Sequence, residues 1–309
     1  MARPILAGYD PRMRDAAPAA FAVAAARFTG APLVIASICA QMAVPEDSPY
    51  AVFEELPSEA QGTLEQLRAE LDAGDVELEL RELRGASAAR GLHEAAERES
   101  AGLLVVGSTD RGAIGRVLPG STAERLMHGA PCPVAVVPHG WRAGGGVHTI
   151  GVAYTDTEEG RAALEAAHAL AVRAEGMLRV LTAVKVHAGA YGETEARRAG
   201  MRGKDFDEVE GEHRVRAEAA IRERVSGLAD DVEVEVDAFL GDPADALIDV
   251  SRRLDLLVCG SRGYGPLRAV LLGGVSRRVA AEAHCPVIVL PRGADTPLAD
   301  LLGEGAASA

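Results

Sequence analysis

Lysine is nearly absent from this chain of 309 residues, since Lys185 and Lys204 are the only two. A Walker-type phosphate loop needs Gly-Lys-Ser or Gly-Lys-Thr after its glycines, and neither tripeptide occurs. Acidic residues outnumber basic ones by 46 to 32, and the formal net charge of −14 argues against a general affinity for nucleic acid. Any phosphate site here must therefore rely on backbone amides, hydroxyl groups and arginine.

Cysteines and long apolar runs are also scarce. The four cysteines are too scattered for a disulfide framework or a zinc site, and we expect them to be buried thiols. No apolar run approaches the roughly 18 residues that cross a bilayer, and the first residues contain too short an apolar stretch for a secretion signal. These absences predict a cytoplasmic protein without membrane contact.

A strand–loop–strand signal occurs twice, with every matched position shifted by 153 residues. It consists of an apolar strand ending in glycine, a glycine that closes the next loop, and a cysteine before the next strand: Gly107, Gly120 and Cys132, then Gly260, Gly273 and Cys285. Earlier segments match at shifts of 145 and 156 residues. The chain is therefore an internal duplication.

Each half follows the pattern β-α-β-α-β-α-β-α-β, with helices predicted over 15–28 and 160–174 and later strands over 75–80 and 231–236. Alternating strands and helices predict an α/β fold of two tandem doubly wound domains, each with a parallel sheet. The predicted domains are 1–139 and 147–293. The glycine-rich linker between them predicts flexibility, and the tail from residue 293 is expected to be poorly ordered.

The loop that follows the fourth strand of the second half has the composition of a phosphate site. Gly260-Ser261-Arg262-Gly263 is followed, after nine intervening residues, by Gly273-Gly274-Val275-Ser276. A glycine allows close approach of a ligand to the backbone, and the free N–H groups at the start of a helix favour an anion. In doubly wound sheets ligands bind at this carboxyl edge.

This pattern, Gly-x2-Gly-x9-Gly-Ser/Thr, resembles the nucleotide loop of the universal stress protein family, and the resemblance covers both halves. It implies an adenine nucleotide alpha hydrolase-like fold, with five parallel strands per domain and helices on both faces. Many members bind ATP, and members pair through their fifth strands. The resemblance therefore implies ATP, accompanied by Mg²⁺, as the ligand, and an intramolecular pseudo-dimer as the architecture.

In the first half the resemblance implies that Asp10, at the end of strand one, contacts the adenine or ribose. Gly107, Gly120, Ser121 and Thr122 match its phosphate loop. Asp110 departs from the family pattern because it replaces the second glycine of the loop with a carboxylate. Two anions about 4 Å apart repel by roughly 1 kcal/mol in water, so this departure weakens the first site unless Arg111 or Arg116 offsets the charge.

In the second half all three loop glycines, Gly260, Gly263 and Gly273, are present. Gly274 replaces the usual hydroxyl residue, and Thr155 replaces the aspartate of strand one. Asp156, one position later, is the candidate contact that either swings in toward the nucleotide or leaves the adenine end of this site weaker. The further candidate nucleotide contacts in the two halves lie in the loop, in the last helix and at the ends of the second strands: Arg262, Val275, Ser276, Ile38 and Ala183.

Three functional hypotheses follow. The first is an ATP-binding regulatory protein of the stress response, with unidentified protein partners and the capacity to form a homodimer, and without catalysis. The second is a nucleotide-free interaction scaffold with degenerate sites. The third is an ATP-pyrophosphatase-like enzyme, which the absence of a Ser-Gly-Gly-x-Asp-Ser loop after strand one disfavours.

Overall fold

The computed structural model describes residues 3–40, 59–108, 121–184, 203–261 and 273–291, together with Leu298 and Leu301. The strands are β1 Ile5–Gly8, β2 Leu33–Ala40, β3 Leu78–Gly85, β4 Leu103–Gly107, β5 Val134–Val137, β6 Thr149–Ala153, β7 Met177–Val184, β8 Glu233–Leu240, β9 Leu256–Gly260 and β10 Val287–Leu290. The α-helices are α1 Ala17–Thr29, α2 Glu59–Glu70, α3 Ala88–Glu99, α4 Ser121–Gly129, α5 Glu158–Arg173, α6 Gly203–Val225, α7 Pro243–Val250 and α8 Gly274–Glu282. The predicted strands over 75–80 and 231–236 lie further along the chain, as β3 and β8.

These strands form one sheet with the order β3-β2-β1-β4-β5-β10-β9-β6-β7-β8. Every pair within a half is parallel, whereas β5 and β10 pair in the antiparallel direction. Each half therefore has five parallel strands in a doubly wound order, and the halves join through their fifth strands. The predicted fold class and the intramolecular pseudo-dimer are confirmed.

The register of the sheet reproduces the shifts found in the sequence. Leu33 lies opposite Leu78 in the first half, and Leu178 lies opposite Val234 in the second. The two positions are shifted by 145 and 156 residues respectively, as the internal alignment requires. The duplication is therefore conserved at the level of individual strand pairs.

A pseudo-twofold axis passes through the seam between the halves. Ala135 lies opposite Ile288, and these two residues are equivalent positions of the repeat. Because β5 and β10 are antiparallel, equivalent residues that precede or follow this pair lie at opposite ends of the seam. Cys132 and Cys285, which are equivalent positions before the fifth strands, are consequently about 20 Å apart along the strand direction.

Two hydrophobic layers cover the sheet. On one face the core contains side chains of α1, α2, α5 and α6, and on the other it contains side chains of α3, α4, α7 and α8. Both layers are continuous across the seam, because each contains buried residues from the two halves. Among the described residues, no helix has the length and the apolar character needed to span a membrane.

The first helices of the two halves do not begin at equivalent positions. Helix α1 has Pro18 in its first turn, and a proline further inside a helix would clash with the carbonyl group four residues earlier. Helix α5 has Ala163 at the matching position and extends one turn further toward its strand. Consequently, the end of β6 is followed almost at once by a helix, while the end of β1 is followed by a longer loop.

The linker and part of the tail are packed, which differs from the expectation from composition. Trp141 lies edge-on to Phe21 with a centroid separation of 5.5 Å, and Nδ1 of His139 lies 3.0 Å from a carboxylate oxygen of Asp15. Leu298 and Leu301 are buried in the core. Large apolar side chains in otherwise polar segments explain both differences, because burial in the adjacent core removes them from water.

Candidate functional site

The candidate sites lie where the strand order reverses, between β1 and β4 in the first half and between β6 and β9 in the second. Ligands of doubly wound sheets bind at the carboxyl ends of the strands at this position. The predicted residues Gly120, Arg262 and Gly263, and the loop residue Asp110, lie outside the described part of the chain. The remaining predicted residues lie on the strand ends and helix starts around these two positions.

In the second half, glycines bring helix α5 against the end of β9. A Cβ atom on Gly260 would lie 2.9 Å from the carbonyl oxygen of Glu159, and one on Gly160 would clash with the carbonyl oxygen of Thr155. Thr157 caps the helix, because its hydroxyl oxygen accepts a hydrogen bond from the N–H of Gly160 at 3.1 Å. These contacts fix the N-terminus of α5 at the carboxyl end of the sheet.

The N-terminus of α8 reaches the same place. The N–H of Gly273 donates to the carbonyl oxygen of Ser261 at 2.8 Å, and the hydroxyl group of Ser276 donates to the carbonyl oxygen of Gly260 at 2.8 Å. The N–H groups of Gly274 and Val275 lie in the first turn, where no intrahelical acceptor exists. Two helix N-termini therefore converge on the end of β9, and both contribute positive potential.

Two hydroxyl groups in this region have different environments. That of Ser276 is already engaged with the backbone of β9, so its predicted contact to a nucleotide is available through the N–H group. The hydroxyl oxygen of Ser261 is buried and has no hydrogen-bond partner among the described residues. The sequence pattern did not single out Ser261, although its position directly after Gly260 was the available signal.

Asp156, the predicted nucleotide contact after strand β6, is already held in ion pairs. Both carboxylate oxygens of Asp156 are engaged: one lies 3.0 Å from Nη2 of Arg161, and the other lies 2.8 Å from Nη2 of Arg224. The same contact raises the pKa of Arg161. In this structure Asp156 therefore ties α5 to α6, and it would have to leave two arginines to reach a ligand.

The first half keeps its aspartate accessible. Asp10 accepts hydrogen bonds from the N–H of Arg12 at 2.9 Å and from Nε of the same residue at 3.3 Å, and about half of its side chain is exposed. A Cβ atom on Gly107 would lie 3.0 Å from Cγ of Pro18, so α1 approaches β4 closely. Ser121 and Thr122 form the first turn of α4.

A hydrogen-bonded group that the sequence did not reveal links β4 to the linker. The hydroxyl oxygen of Ser108 accepts the N–H of His139 at 3.1 Å. The imidazole of His139 faces Asp15, which also accepts the N–H of Ala17 at 3.1 Å. The contact of His139 to Ser108 is made by its backbone rather than its ring, so these residues do not form a Ser-His-Asp catalytic arrangement.

Ile38 and Ala183 occupy equivalent positions near the carboxyl ends of β2 and β7, and both are partly buried. Ile38 packs against α3, where a Cβ atom on Gly91 would lie 2.9 Å from its Cγ2 atom. Within the described ranges there is no cluster of three or more His, Cys, Asp or Glu side chains able to hold a metal ion.

Comparisons with known proteins agree with this architecture. The sequence pattern of the universal stress protein family matches the chain twice, over residues 1–138 and 146–291. A universal stress protein of Mycolicibacterium smegmatis is 34% identical over 212 residues, which cover 68% of this chain and 67% of that protein. One of Mycobacterium tuberculosis is 33% identical over 198 residues, or 60% of this chain, and the match spans 61% of the length of that relative.

Among solved structures, a universal stress protein from Archaeoglobus fulgidus has the same fold. The two superpose with a TM-score of 0.61 at 17% sequence identity, and the match covers 95% of this chain and 100% of the other. The family pattern matches both halves of the chain, and the two halves share one fold and one strand register. The chain belongs to the universal stress protein family.

Proposed function

We propose that this protein is a cytoplasmic, ATP-binding regulator of the stress response, and that it acts by binding the nucleotide rather than by turning it over. The observation that carries the proposal is the convergence of α5 and α8 at the end of β9. Helix N-termini are anion sites, because their free N–H groups and their dipoles both favour negative charge. A triphosphate placed there would need no lysine, which suits a chain that has almost none.

The two halves offer different parts of a nucleotide site. The second half has the intact set of loop glycines and the converging helices, but its Asp156 is held by two arginines. The first half has an accessible Asp10, while Asp110 brings a carboxylate into its loop sequence. We therefore propose that the two separate sites differ in strength. The site in the second half binds phosphates more strongly, and the site in the first half contacts the adenosine end more strongly.

Binding without catalysis fits the same residues. A preformed cradle of amides stabilises the ground state of a nucleotide as much as its transition state, and such uniform binding does not accelerate hydrolysis. In the Ser108–His139–Asp15 group the ring of His139 faces Asp15 and its backbone contacts Ser108, so the group is not arranged to activate a serine nucleophile. The proposal is thus a protein whose shape or partner surface responds to nucleotide occupancy.

A second candidate function is a nucleotide-free scaffold. It is favoured by Asp156, because an aspartate fixed between α5 and α6 serves the packing of the domain and leaves the adenosine end of the second site without a carboxylate. The helices that cover the two faces of the continuous ten-stranded sheet would then present partner surfaces without regulation by ATP.

Calorimetric titration separates these candidates. ATP with Mg²⁺, AMP and cyclic AMP are titrated into the full chain and into the variants Asp10→Ala and Gly263→Asp. A carboxylate near the phosphates costs about 1 kcal/mol or more, so Gly263→Asp should weaken binding by at least about fivefold if the second half holds the phosphates. Loss of binding in Asp10→Ala alone would place the nucleotide in the first half.

Matched controls keep the result specific. Asp249→Ala removes a highly exposed carboxylate on α7, and Gly62→Asp adds one to α2, where a Cβ atom would meet no atom within 4 Å. Both should bind like the parent protein. If the parent chain gives no saturable heat with any of the nucleotides at millimolar concentration, the regulator is excluded and the scaffold is favoured.

A further inference from the structure

A largely apolar cavity lies at the seam of the two halves, beneath the linker, and it has a volume of about 220 Å³. Phe21 and Phe28 of α1, Leu170 of α5, Trp141 of the linker and Ile288 of β10 contribute to its lining. It is separate from the nucleotide sites, because none of the residues that line it lies at the carboxyl ends of β4 or β9.

The cavity is a product of the fusion of the two halves. The linker, which occurs once, supplies part of the wall. The repeat positions that match Phe21 and Phe28 are Ala166 and Arg173 in the second half, so the aromatic wall is not duplicated. Arg173 instead lies over the ring of Phe28 at 5.6 Å and donates to its carbonyl oxygen at 3.0 Å, which holds α5 against α1 beside the cavity.

The polar groups that line the cavity are few and unequal in charge. One carboxylate oxygen of Asp255 accepts the N–H groups of His148 and Thr149, both at 2.8 Å, so its charge is partly compensated by the backbone. Arg142 makes no hydrogen bond or ion pair with any residue that the structure describes. The charge that lacks a partner beside this apolar space is therefore positive.

We propose that this cavity binds an amphipathic carboxylate with an unbranched apolar chain of about eight carbons, with its head group at Arg142. A cavity of about 150 Å³ lined by Leu, Ile and Phe accommodates benzene, so the larger volume here suits an apolar group of roughly eight to nine carbons. A carboxylate would form a charge-assisted hydrogen bond with the guanidinium of Arg142, which is the strongest polar interaction that a residue of the lining can make with a ligand. Interfaces between domains are common places for such pockets.

The chain contains a built-in reporter for the test, because Trp141 is its only tryptophan and lines the cavity. Hexanoate, octanoate and decanoate are titrated into the full chain while the fluorescence of Trp141 is recorded. Each methylene that enters an apolar site should tighten binding about fourfold, until the cavity is full. Octanol and octylamine have the same chain with a neutral and a positive head, and both should bind at least tenfold more weakly than octanoate.

Variants assign the response to the cavity. Arg142→Gln should lower the affinity for octanoate to that for octanol and leave octanol unchanged, whereas Arg90→Gln, on the exposed face of α3, should change neither. Ala25→Phe and, as a milder alternative, Ala24→Leu fill the space and should abolish binding in variants that retain the parental circular dichroism spectrum.

The proposal is overturned if Trp141 responds to none of the carboxylates, or if the affinity does not depend on chain length. It is also overturned if octanoate, octanol and octylamine bind equally well. Because no nucleotide is used, each of these results is independent of whether the chain binds ATP.

Discussion

Replacing Gly260 by alanine tests whether the close approach of α5 to β9 builds the site. The new Cβ atom would lie 2.9 Å from the carbonyl oxygen of Glu159 and 3.2 Å from its carbonyl carbon. The contacted atoms belong to the backbone in the first turn of a helix, so relief requires the helix to move by about half an ångström rather than a side chain to rotate. Overpacking of this kind costs roughly 1 to 3 kcal/mol.

Thermal and urea unfolding measure this cost. With about 2 to 4 °C per kcal/mol for domains of this size, Gly260→Ala should lower the midpoint by roughly 2 to 12 °C. It should also weaken any binding of ATP, because the helix that closes the phosphate site has moved. The matched control is Gly211→Ala in α6, where a Cβ atom meets nothing within 4 Å and alanine should stabilise by up to about 1 kcal/mol. A Gly260→Ala variant that is as stable as the parent would refute the argument from packing.

Other parts of the structure give three further predictions. Asp242 accepts the first N–H groups of α7 at 2.9 and 3.0 Å, so Asp242→Ala should cost about 1 kcal/mol in urea unfolding, and an unchanged midpoint would contradict the cap. Leu301 is 3% exposed, so Leu301→Ala should cost about 2 kcal/mol or more by the same measurement, unless the tail leaves the core. Burial raises the pKa of Cys132 and Cys259 to about 12, so a thiol reagent at pH 8 should modify only Cys39 in the folded chain and all four cysteines after denaturation. Unfolded thiols ionise near their ordinary pKa of 9.0, whereas the buried thiols stay protonated to higher pH. The free energy of unfolding should therefore fall as the pH rises above about 9. A second fast-reacting thiol in the folded chain would contradict the burial of these cysteines.

Much of the fold was predictable because the strands of the first half recur in the second half at fixed sequence shifts. The shifts of 145, 156 and 153 residues reappear in the strand register, since equivalent strands must align equivalent apolar side chains. The cap at Asp242 was likewise readable, because an aspartate before a proline satisfies the first N–H groups of a helix. These features depend on residues that are close in sequence or repeated in it.

Features that depend on distant pairs could not be predicted in this way. The two arginines that hold Asp156 include Arg224, which is 68 residues away and carries no local signal. The separation of the two equivalent cysteines follows from the antiparallel seam, whose direction is set by the packing of whole domains. Helix α1 begins at Ala17, two residues later than predicted. Pro18 indicates this later start, but the prediction of 15–28 used only the periodicity of apolar residues.

We propose that each half is built around a phosphate-binding edge and that at least one of the two binds ATP. Equilibrium dialysis of the full chain against labelled ATP with Mg²⁺ tests this claim most directly, because it counts bound nucleotide per chain without relying on heat or fluorescence. We expect saturation at one or two ATP per chain and loss of binding at the second site in Gly263→Asp. A chain that takes up no ATP at millimolar concentration, although folded, would contradict it.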